Sequence, residues 1–169
     1  STDLIYCSSI MKLGFIGTGK ITSSVVTGIC RSKITFTKIL LSPRNRNVAS
    51  KLKKQFRKVF IAKNNQEIVN SCNWIFLAVT PLVGQKIIKN LKFRSNQTIV
   101  SFISTMTLSQ LKKAIKVKAK IVRAIPLPPI SLRKGPVPVF PPNKRVKSFF
   151  NKLGTTVEIN NEKLSKNFW

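Results

Sequence analysis

Two glycines near the beginning of the chain, Gly17 and Gly19, follow a short apolar run and precede a segment in which apolar residues recur at helical spacing. A turn from a buried strand into a helix presents backbone N–H groups and the positive end of the helix dipole to an anion. In the dinucleotide-binding fingerprint, the first glycine permits the tight turn and the second lets the backbone approach a pyrophosphate. The predicted pyrophosphate-binding residues are Gly17, Thr18, Gly19, Lys20 and Ile21.

Other interpretations of this turn exist. Thr22 stands where the fingerprint usually has Gly or Ala, which predicts slightly looser packing between the helix and the strand. The run from Gly14 to Lys20 also matches the G-x-x-x-x-G-K of a phosphate-binding loop. However, Ile21 replaces the Ser or Thr that would bind magnesium, and no Asp follows a later strand, so nucleotide hydrolysis is not favoured. A glycine turn without a ligand remains an alternative.

The residues after the second apolar run indicate which dinucleotide would bind. An NAD-specific domain places Asp or Glu about 20 residues beyond the glycines, on the ribose 2′-hydroxyl. This sequence has no acidic residue between Asp3 and Glu67. Guanidinium groups bind phosphate through forked, charge-assisted hydrogen bonds, so we predict NADP; alternatively, the two arginines here are simply basic surface residues. The predicted 2′-phosphate-binding residues are Ser42, Arg44, Asn45 and Arg46.

Strands and helices alternate along the chain and must position these residues. Apolar runs predict strands at residues 12–16, 38–42, 59–62, 74–79, 98–103, 120–124 and 156–159. Apolar residues at helical spacing predict helices from residue 20, over 48–56, 64–71, from 81, over 108–115 and over 146–153. The prolines of residues 126–141 predict an irregular segment with at most one edge strand, at 137–140, and Gly154 is predicted to cap the last helix. Repeated strand–helix units of this length predict an α/β fold with a doubly wound, mostly parallel sheet.

Three further motifs follow the glycine turn in order. They are Phe76-Leu77-Ala78-Val79-Thr80-Pro81, Ser101-Phe102-Ile103-Ser104 and Val122-Arg123-Ala124-Ile125-Pro126. With residues 11–19, they resemble the N-terminal domain of the pyrroline-5-carboxylate reductases in order and spacing, over residues 11–160. The resemblance implies a Rossmann-like NADP-binding domain of a reductase that transfers hydride from NADPH to a small cyclic imine, in proline biosynthesis. It also implies that Ala78, Val79, Thr80 and Pro81 lie beside the ribose and nicotinamide of the cofactor.

Two segments depart from the pattern of that family. Leu127-Pro128-Pro129 stands where the family usually has Asn-Thr-Pro, and Ser104-Thr105-Met106 stands where it has Ala-Ala-Gly. The resemblance places both where the cofactor ring and the substrate meet, so a related imine or carbonyl reductase is an alternative. No catalytic residue is identified from the sequence.

The resemblance also suggests a domain organisation. We expect residues 1–10 to be an extension without structure, residues 11–160 to form the dinucleotide-binding domain, and residues 161–169 to begin a helical domain. In the family that domain dimerises and completes the substrate site. The chain is therefore expected to be a truncated form that is inactive alone, with the missing domain forming a homodimer; packing of its C-terminal end against a partner is the alternative.

Composition excludes several kinds of site. The chain has no His, three Cys without a C-x-x-C spacing and four acidic residues, which predicts neither a metal site nor a catalytic carboxylate pair. A bound cofactor must then carry any reaction. The sequence shows neither the roughly 18 apolar residues of a membrane span nor a secretory signal, so we expect a soluble, cytoplasmic protein without a membrane partner.

The net charge of +27 favours binding of anions. Because the basic residues are spread along the chain and do not follow the aromatic stacking pattern of single-strand binders, we interpret them mainly as a solvated basic surface. The alternative is a non-catalytic basic Rossmann scaffold that binds RNA in a larger assembly.

Overall fold

The computed structural model describes residues 10–165, with side chains described up to residue 163, and in this part of the chain eight strands form one sheet. The strands are β1 (Lys12–Ile16), β2 (Lys38–Leu41), β3 (Val59–Ile61), β4 (Trp74–Leu77), β5 (Thr98–Ser101), β6 (Lys120–Ala124), β7 (Pro136–Phe140) and β8 (Thr155–Glu158). Their order is β3-β2-β1-β4-β5-β6-β7-β8. The first six strands are parallel, whereas β7 runs antiparallel to β6 and parallel to β8.

Helices cover both faces of this sheet. They are α1 (Lys20–Cys30), α2 (Arg46–Gln55), α3 (Asn65–Ser71), α4 (Pro81–Asn90), α5 (Leu108–Ile115), α6 (Lys144–Asn151) and α7 (Glu162–Ser165), with a 3₁₀ helix at Pro128–Leu132. Buried residues of α1, α2, α6 and the 3₁₀ helix belong to one hydrophobic cluster. Those of α3, α4 and α5 belong to a second cluster. The predicted α/β, doubly wound, mostly parallel fold is confirmed.

The central strand β4 illustrates why the sheet is covered twice. Its four residues are all buried, as expected of a parallel strand between two helical layers. Trp74 and Phe76 face the first cluster, while Ile75 and Leu77 face the second. Phe76 stacks on Phe15 of β1 with ring centroids 4.5 Å apart.

The strand predicted at residues 137–140 forms, but its predicted edge position is wrong. β7 lies between β6 and β8. Its ladder with β6 is short, with Arg123 opposite Phe140 and Ala124 opposite Val139. The carbonyl of Pro138 accepts from the N–H of Ile125. Pro138 thus takes part in the sheet through its carbonyl, at the end of a ladder of only two paired positions.

Gly154 does not cap the last helix, contrary to the prediction. Helix α6 ends at Asn151, and Lys152 is its C-cap residue. A Cβ added to Gly154 would lie 2.4 Å from the carbonyl oxygen of Gly135, so glycine is required for a close approach of two backbones. The irregular segment also contains the 3₁₀ helix, whose Ile130 carbonyl oxygen would lie 2.4 Å from a Cβ added to Gly28 of α1.

Several predicted strands are shorter than expected at their carboxyl ends. The pattern predicted strands up to residues 79 and 103, but β4 ends at Leu77 and β5 at Ser101. Val79 and Ile103 instead lie in loops and pack against the second cluster, which is why their apolar character extended the predicted strands.

No helix within residues 10–165 has both the length and the apolar character needed to cross a bilayer. Residues 1–9 of the extension predicted over residues 1–10 lie outside the described residues, as do residues 166–169 of the predicted second domain. These domain boundaries remain predictions.

Candidate functional site

The order in which the chain adds strands to the sheet reverses between β1 and β4. From β1 the chain proceeds to β2 and β3 on one side, and then returns to place β4 on the other side. Ligands of open α/β sheets bind at such a switch point, outside the carboxyl ends of the strands. A cleft of about 320 Å³ lies there. It is lined by Gly17, Thr18, Gly19, Arg44, Asn45, Ala78, Val79, Thr80 and Val83.

The cleft brings together residues from all three predicted parts of the site. Five of the thirteen predicted residues do not line it. Lys20, Arg46 and Pro81 are the exposed first residues of α1, α2 and α4, Ile21 packs against the core, and Ser42 is buried. Val83, in the first turn of α4, was not predicted from the sequence. Its role depends on how α4 is rotated around its axis, and a local pattern does not give that rotation.

The backbone conformation and the close packing at position 17 both require glycine. Its φ is +101°, in a region that side chains other than glycine rarely adopt. A Cβ at this position would lie 2.4 Å from the carbonyl oxygen of Ala78 and 2.9 Å from Cγ1 of Val79. The absence of a side chain at Gly17 therefore allows the turn after β1 to pack on the end of β4.

Gly19 is different, because the space in front of it is empty. A Cβ at this position would meet no heavy atom within 4 Å. Gly19 is also the N-cap residue of α1 and has no side chain to bond the first amides of that helix. Free amides, a helix N-terminus and an open approach are what a phosphate group requires. The glycine turn therefore fits the pyrophosphate of a dinucleotide.

Two threonine hydroxyls hold the turn in place. Thr22 is fully buried, and its Oγ1 donates to the carbonyl of Gly17 at 2.8 Å. Gly or Ala, which the fingerprint usually has at this position, could not make this hydrogen bond. Oγ1 of Thr18 donates to the carbonyl of Ser42 at 2.8 Å, which ties the turn to the loop after β2.

The electrostatic character of the cleft is set by Arg44, which is exposed on its rim. The three glutamates of the described residues are engaged elsewhere. Glu67 accepts from the N–H of Lys63, Glu158 pairs with Lys147 at 3.1 Å, and Glu162 pairs with Arg123 at 2.9 Å. No carboxylate of residues 10–163 lines the cleft to accept a hydrogen bond from a ribose 2′-hydroxyl. The cleft therefore suits a phosphate at that position better than a hydroxyl.

A second polar cluster, centred on the buried Arg123 of β6, was not predicted from the sequence. The Arg123 guanidinium donates to Oε1 of Glu162 and to the carbonyl of Ser104, both at 2.9 Å. Oε1 of Glu162 also accepts from the N–H of Leu108 at 2.8 Å. The cluster joins α7 to β6 and to the loop before α5. A lone arginine in an apolar strand was the available signal for it.

The two described thiols are not suited to nucleophilic chemistry. Burial raises the pKa of Cys30 and that of Cys72 to about 11, against the opposing effect of nearby basic residues. Both thiols are therefore protonated at neutral pH. Within residues 10–163, no three His, Cys, Asp or Glu side chains lie close enough together to hold a metal ion.

Together, the strand order, the glycine turn and the cleft define a dinucleotide-binding Rossmann domain. The chain belongs to the family described as NADP oxidoreductase, coenzyme F420-dependent, whose model matches residues 12–107. This match and the relatives below confirm the resemblance to pyrroline-5-carboxylate reductases.

The chain is 28% identical over 128 residues to pyrroline-5-carboxylate reductase 3 of Danio rerio, covering 74% of this chain and 44% of that protein. It is 29% identical over 133 residues to pyrroline-5-carboxylate reductase of Escherichia coli strain K12, covering 77% of this chain and 49% of that protein. The chain thus spans about half the length of these curated relatives.

The crystal structure of Plasmodium falciparum pyrroline carboxylate reductase with NADP bound has the same fold. It superposes with a TM-score of 0.77 at 23% identity, over 92% of this chain and 60% of that chain. Neither these relatives nor the cleft support the alternative of a non-catalytic scaffold that binds RNA.

Proposed function

We propose that this chain is the NADP(H)-binding domain of an oxidoreductase similar to pyrroline-5-carboxylate reductase. The observation that carries the proposal is the cleft itself, in which an open glycine turn and Arg44 lie together without a carboxylate. Family membership and the NADP-bound relative support the choice of cofactor.

Each part of the cleft would hold one part of the cofactor. The amides of Gly17, Thr18 and Gly19 and the N-terminus of α1 would bind the pyrophosphate. Arg44 and Asn45 would bind the 2′-phosphate, with the exposed Arg46 and Lys20 adding positive charge nearby. A second set would lie beside the ribose and nicotinamide. It comprises Ala78, Val79, Thr80 and Val83, followed by Pro81 at the start of α4.

Bound NADPH would supply a hydride to the imine carbon of a small cyclic substrate, while the imine nitrogen takes up a proton. The role of this domain is to hold and orient the cofactor. The proton would come from water or from protein outside the described residues. We propose that the substrate site is completed by the portion of the relatives that this chain does not span, in a homodimer.

The substrate is proposed at the level of its chemical class. The relatives are named for pyrroline-5-carboxylate, a small cyclic imine. In this chain Leu127, which follows β6, and Ser104, which follows β5, are exposed near the carboxyl edge of the sheet. Since these residues replace those usual in the family, another imine or a carbonyl compound is the alternative substrate.

The test is a titration of the full chain with NADPH and with NADH, at one fixed salt concentration. We expect NADPH to bind more tightly, and Arg44→Ala to weaken NADPH by about 10- to 100-fold, the cost of a lost charge-assisted hydrogen bond, with little effect on NADH. Arg31→Ala is the matched control, because it removes the same charge from an exposed residue at the opposite end of α1. Equal affinity for both dinucleotides, or equal effects of the two substitutions, would contradict the proposal.

A further inference from the structure

Thr18 combines two properties that are unusual for a residue lining a cleft. Its side chain is buried, with the residue only 5% exposed. Its hydroxyl donates a hydrogen bond to the carbonyl of Ser42, which lies 24 residues further along the chain. A cofactor in the cleft would therefore contact the backbone of Thr18, while the side chain is engaged with the loop after β2.

The loop that begins at Ser42 carries Arg44 and is anchored on both sides. The N–H of Ser42 donates to the carbonyl of Phe15, and its Oγ donates to Oδ1 of Asn65 at 2.9 Å. Asn45 caps α2 by accepting from the N–H of Val48. Among the hydrogen bonds named here, only the one from Thr18 to Ser42 joins this loop to the glycine turn. Thr18 thus connects the glycine turn, which would bind the pyrophosphate, to the Arg44 loop, which would bind the 2′-phosphate.

The distance between these two parts matters for one kind of ligand in particular. The pyrophosphate and the 2′-phosphate of NADP are joined through a single ribose, so their separation is restricted by covalent geometry. A protein binds both tightly when its two binding groups are already held at the matching separation, since no ordering cost is then paid on binding. A dinucleotide without a 2′-phosphate does not require Arg44 to be held in place.

We propose that Thr18 is a positioning residue, which fixes the Arg44 loop relative to the glycine turn and thereby sets the preference for a dinucleotide with a 2′-phosphate. This inference rests on the proposed function. It adds that selectivity depends on a buried hydroxyl as well as on the guanidinium that would touch the phosphate.

The test compares Thr18→Val, which keeps the shape of the side chain but loses the donor, with Thr18→Ser, which keeps the donor. Dissociation constants for NADPH and NADH are measured on the full chain. Thr18→Val is expected to weaken NADPH by about 5- to 20-fold and NADH by less than about 3-fold, while Thr18→Ser stays within about 3-fold of the parent for both. Thr18→Ala serves if the valine methyl disturbs folding, which urea denaturation of each variant monitors.

A double-mutant cycle with Arg44→Ala separates positioning from a general structural effect. If Thr18 acts through Arg44, Thr18→Val has little further effect on NADPH once Arg44 is absent. Equal weakening of NADPH and NADH by Thr18→Val, or independent effects in the double variant, would overturn the inference. A parent chain without any preference for NADPH would overturn the proposed function as well, whereas a preference that Thr18→Val leaves intact overturns this inference alone.

Discussion

Gly17 and Gly19 stand two residues apart in one turn, yet they are glycine for different reasons. Gly17 has a positive φ and lies against the backbone of Ala78, so a larger residue conflicts with the protein itself. Gly19 has an extended backbone and open space in front of it. A side chain there would conflict only with a ligand. A substitution at Gly17 should therefore affect folding, whereas a substitution at Gly19 should affect ligand binding.

This difference makes a direct prediction. Gly19→Ala should change the free energy of unfolding by less than about 1 kcal/mol, because alanine is a poorer N-cap but meets no other atom. It should still weaken NADPH binding by about tenfold or more, since its methyl group occupies the approach of the phosphates. Gly17→Ala should instead lower the free energy of unfolding by more than about 2 kcal/mol. Urea denaturation and NADPH titration of both variants measure this. Intact NADPH binding by a folded Gly19→Ala variant would contradict the proposed pyrophosphate position.

Part of the site could be predicted from residue types alone, and part could not. The glycines and Arg44 follow from a motif whose spacing reflects local backbone geometry. The partners of Thr18 and Thr22 depend on which carbonyl the fold brings to each hydroxyl, and no sequence spacing gives that. Arg46 and Lys20 match the predicted chemistry, but their positions at the starts of helices place them outside the lining of the cleft.

The buried thiols predict a pH dependence. Burial raises the pKa of Cys30 and Cys72 to about 11, while an unfolded thiol ionises near pH 9. Between these values the unfolded chain releases protons that the folded chain retains, so both thiols favour unfolding as the pH rises from 9 to 11. The raised pKa values can be tested by alkylation, because iodoacetamide reacts with the thiolate. In a Cys7→Ser variant at pH 8, iodoacetamide should alkylate the folded chain much more slowly than the chain in denaturant. Equal alkylation rates, measured by mass spectrometry, would contradict the raised pKa values of Cys30 and Cys72.

At the scale of elements, local patterns predicted most helices and strands because their starts and stops are encoded nearby. Pro81 occupies the first position of α4, and Thr107 forms a capping box with Gln110 at the start of α5. The order of the strands is different. The position of β7 between β6 and β8 is decided by pairing with distant segments, so the prolines alone wrongly suggested a sheet edge.

The Arg123 cluster gives a prediction at this scale. Glu162 pairs with an Arg123 side chain that is only 4% exposed, and it also accepts from the N–H of Leu108. Glu162→Gln should therefore lower the free energy of unfolding by about 1–3 kcal/mol, less than a fully buried pair because the carboxylate is partly exposed. Glu158→Gln is the matched control. It breaks the pair with the exposed Lys147 and should cost about 0–1 kcal/mol. Equal shifts of the two variants in thermal denaturation would rule out an anchoring role for the cluster.

For the molecule as a whole, the net charge of +27 creates a positive electrostatic potential around the protein, the cleft included. Such a field attracts any anionic dinucleotide, with or without a 2′-phosphate. Tight binding of NADPH alone would therefore say little about the cleft. Selectivity against NADH is informative, because both ligands feel the same general field and differ in the group that Arg44 would contact.

The most direct measurement is a crystal structure of this chain with NADP. We expect the pyrophosphate on the amides of Gly17 to Gly19, and the 2′-phosphate within hydrogen-bonding distance of the Arg44 guanidinium. NADP bound elsewhere on the basic surface, or in the cleft with Arg44 turned away from the 2′-phosphate, would contradict it.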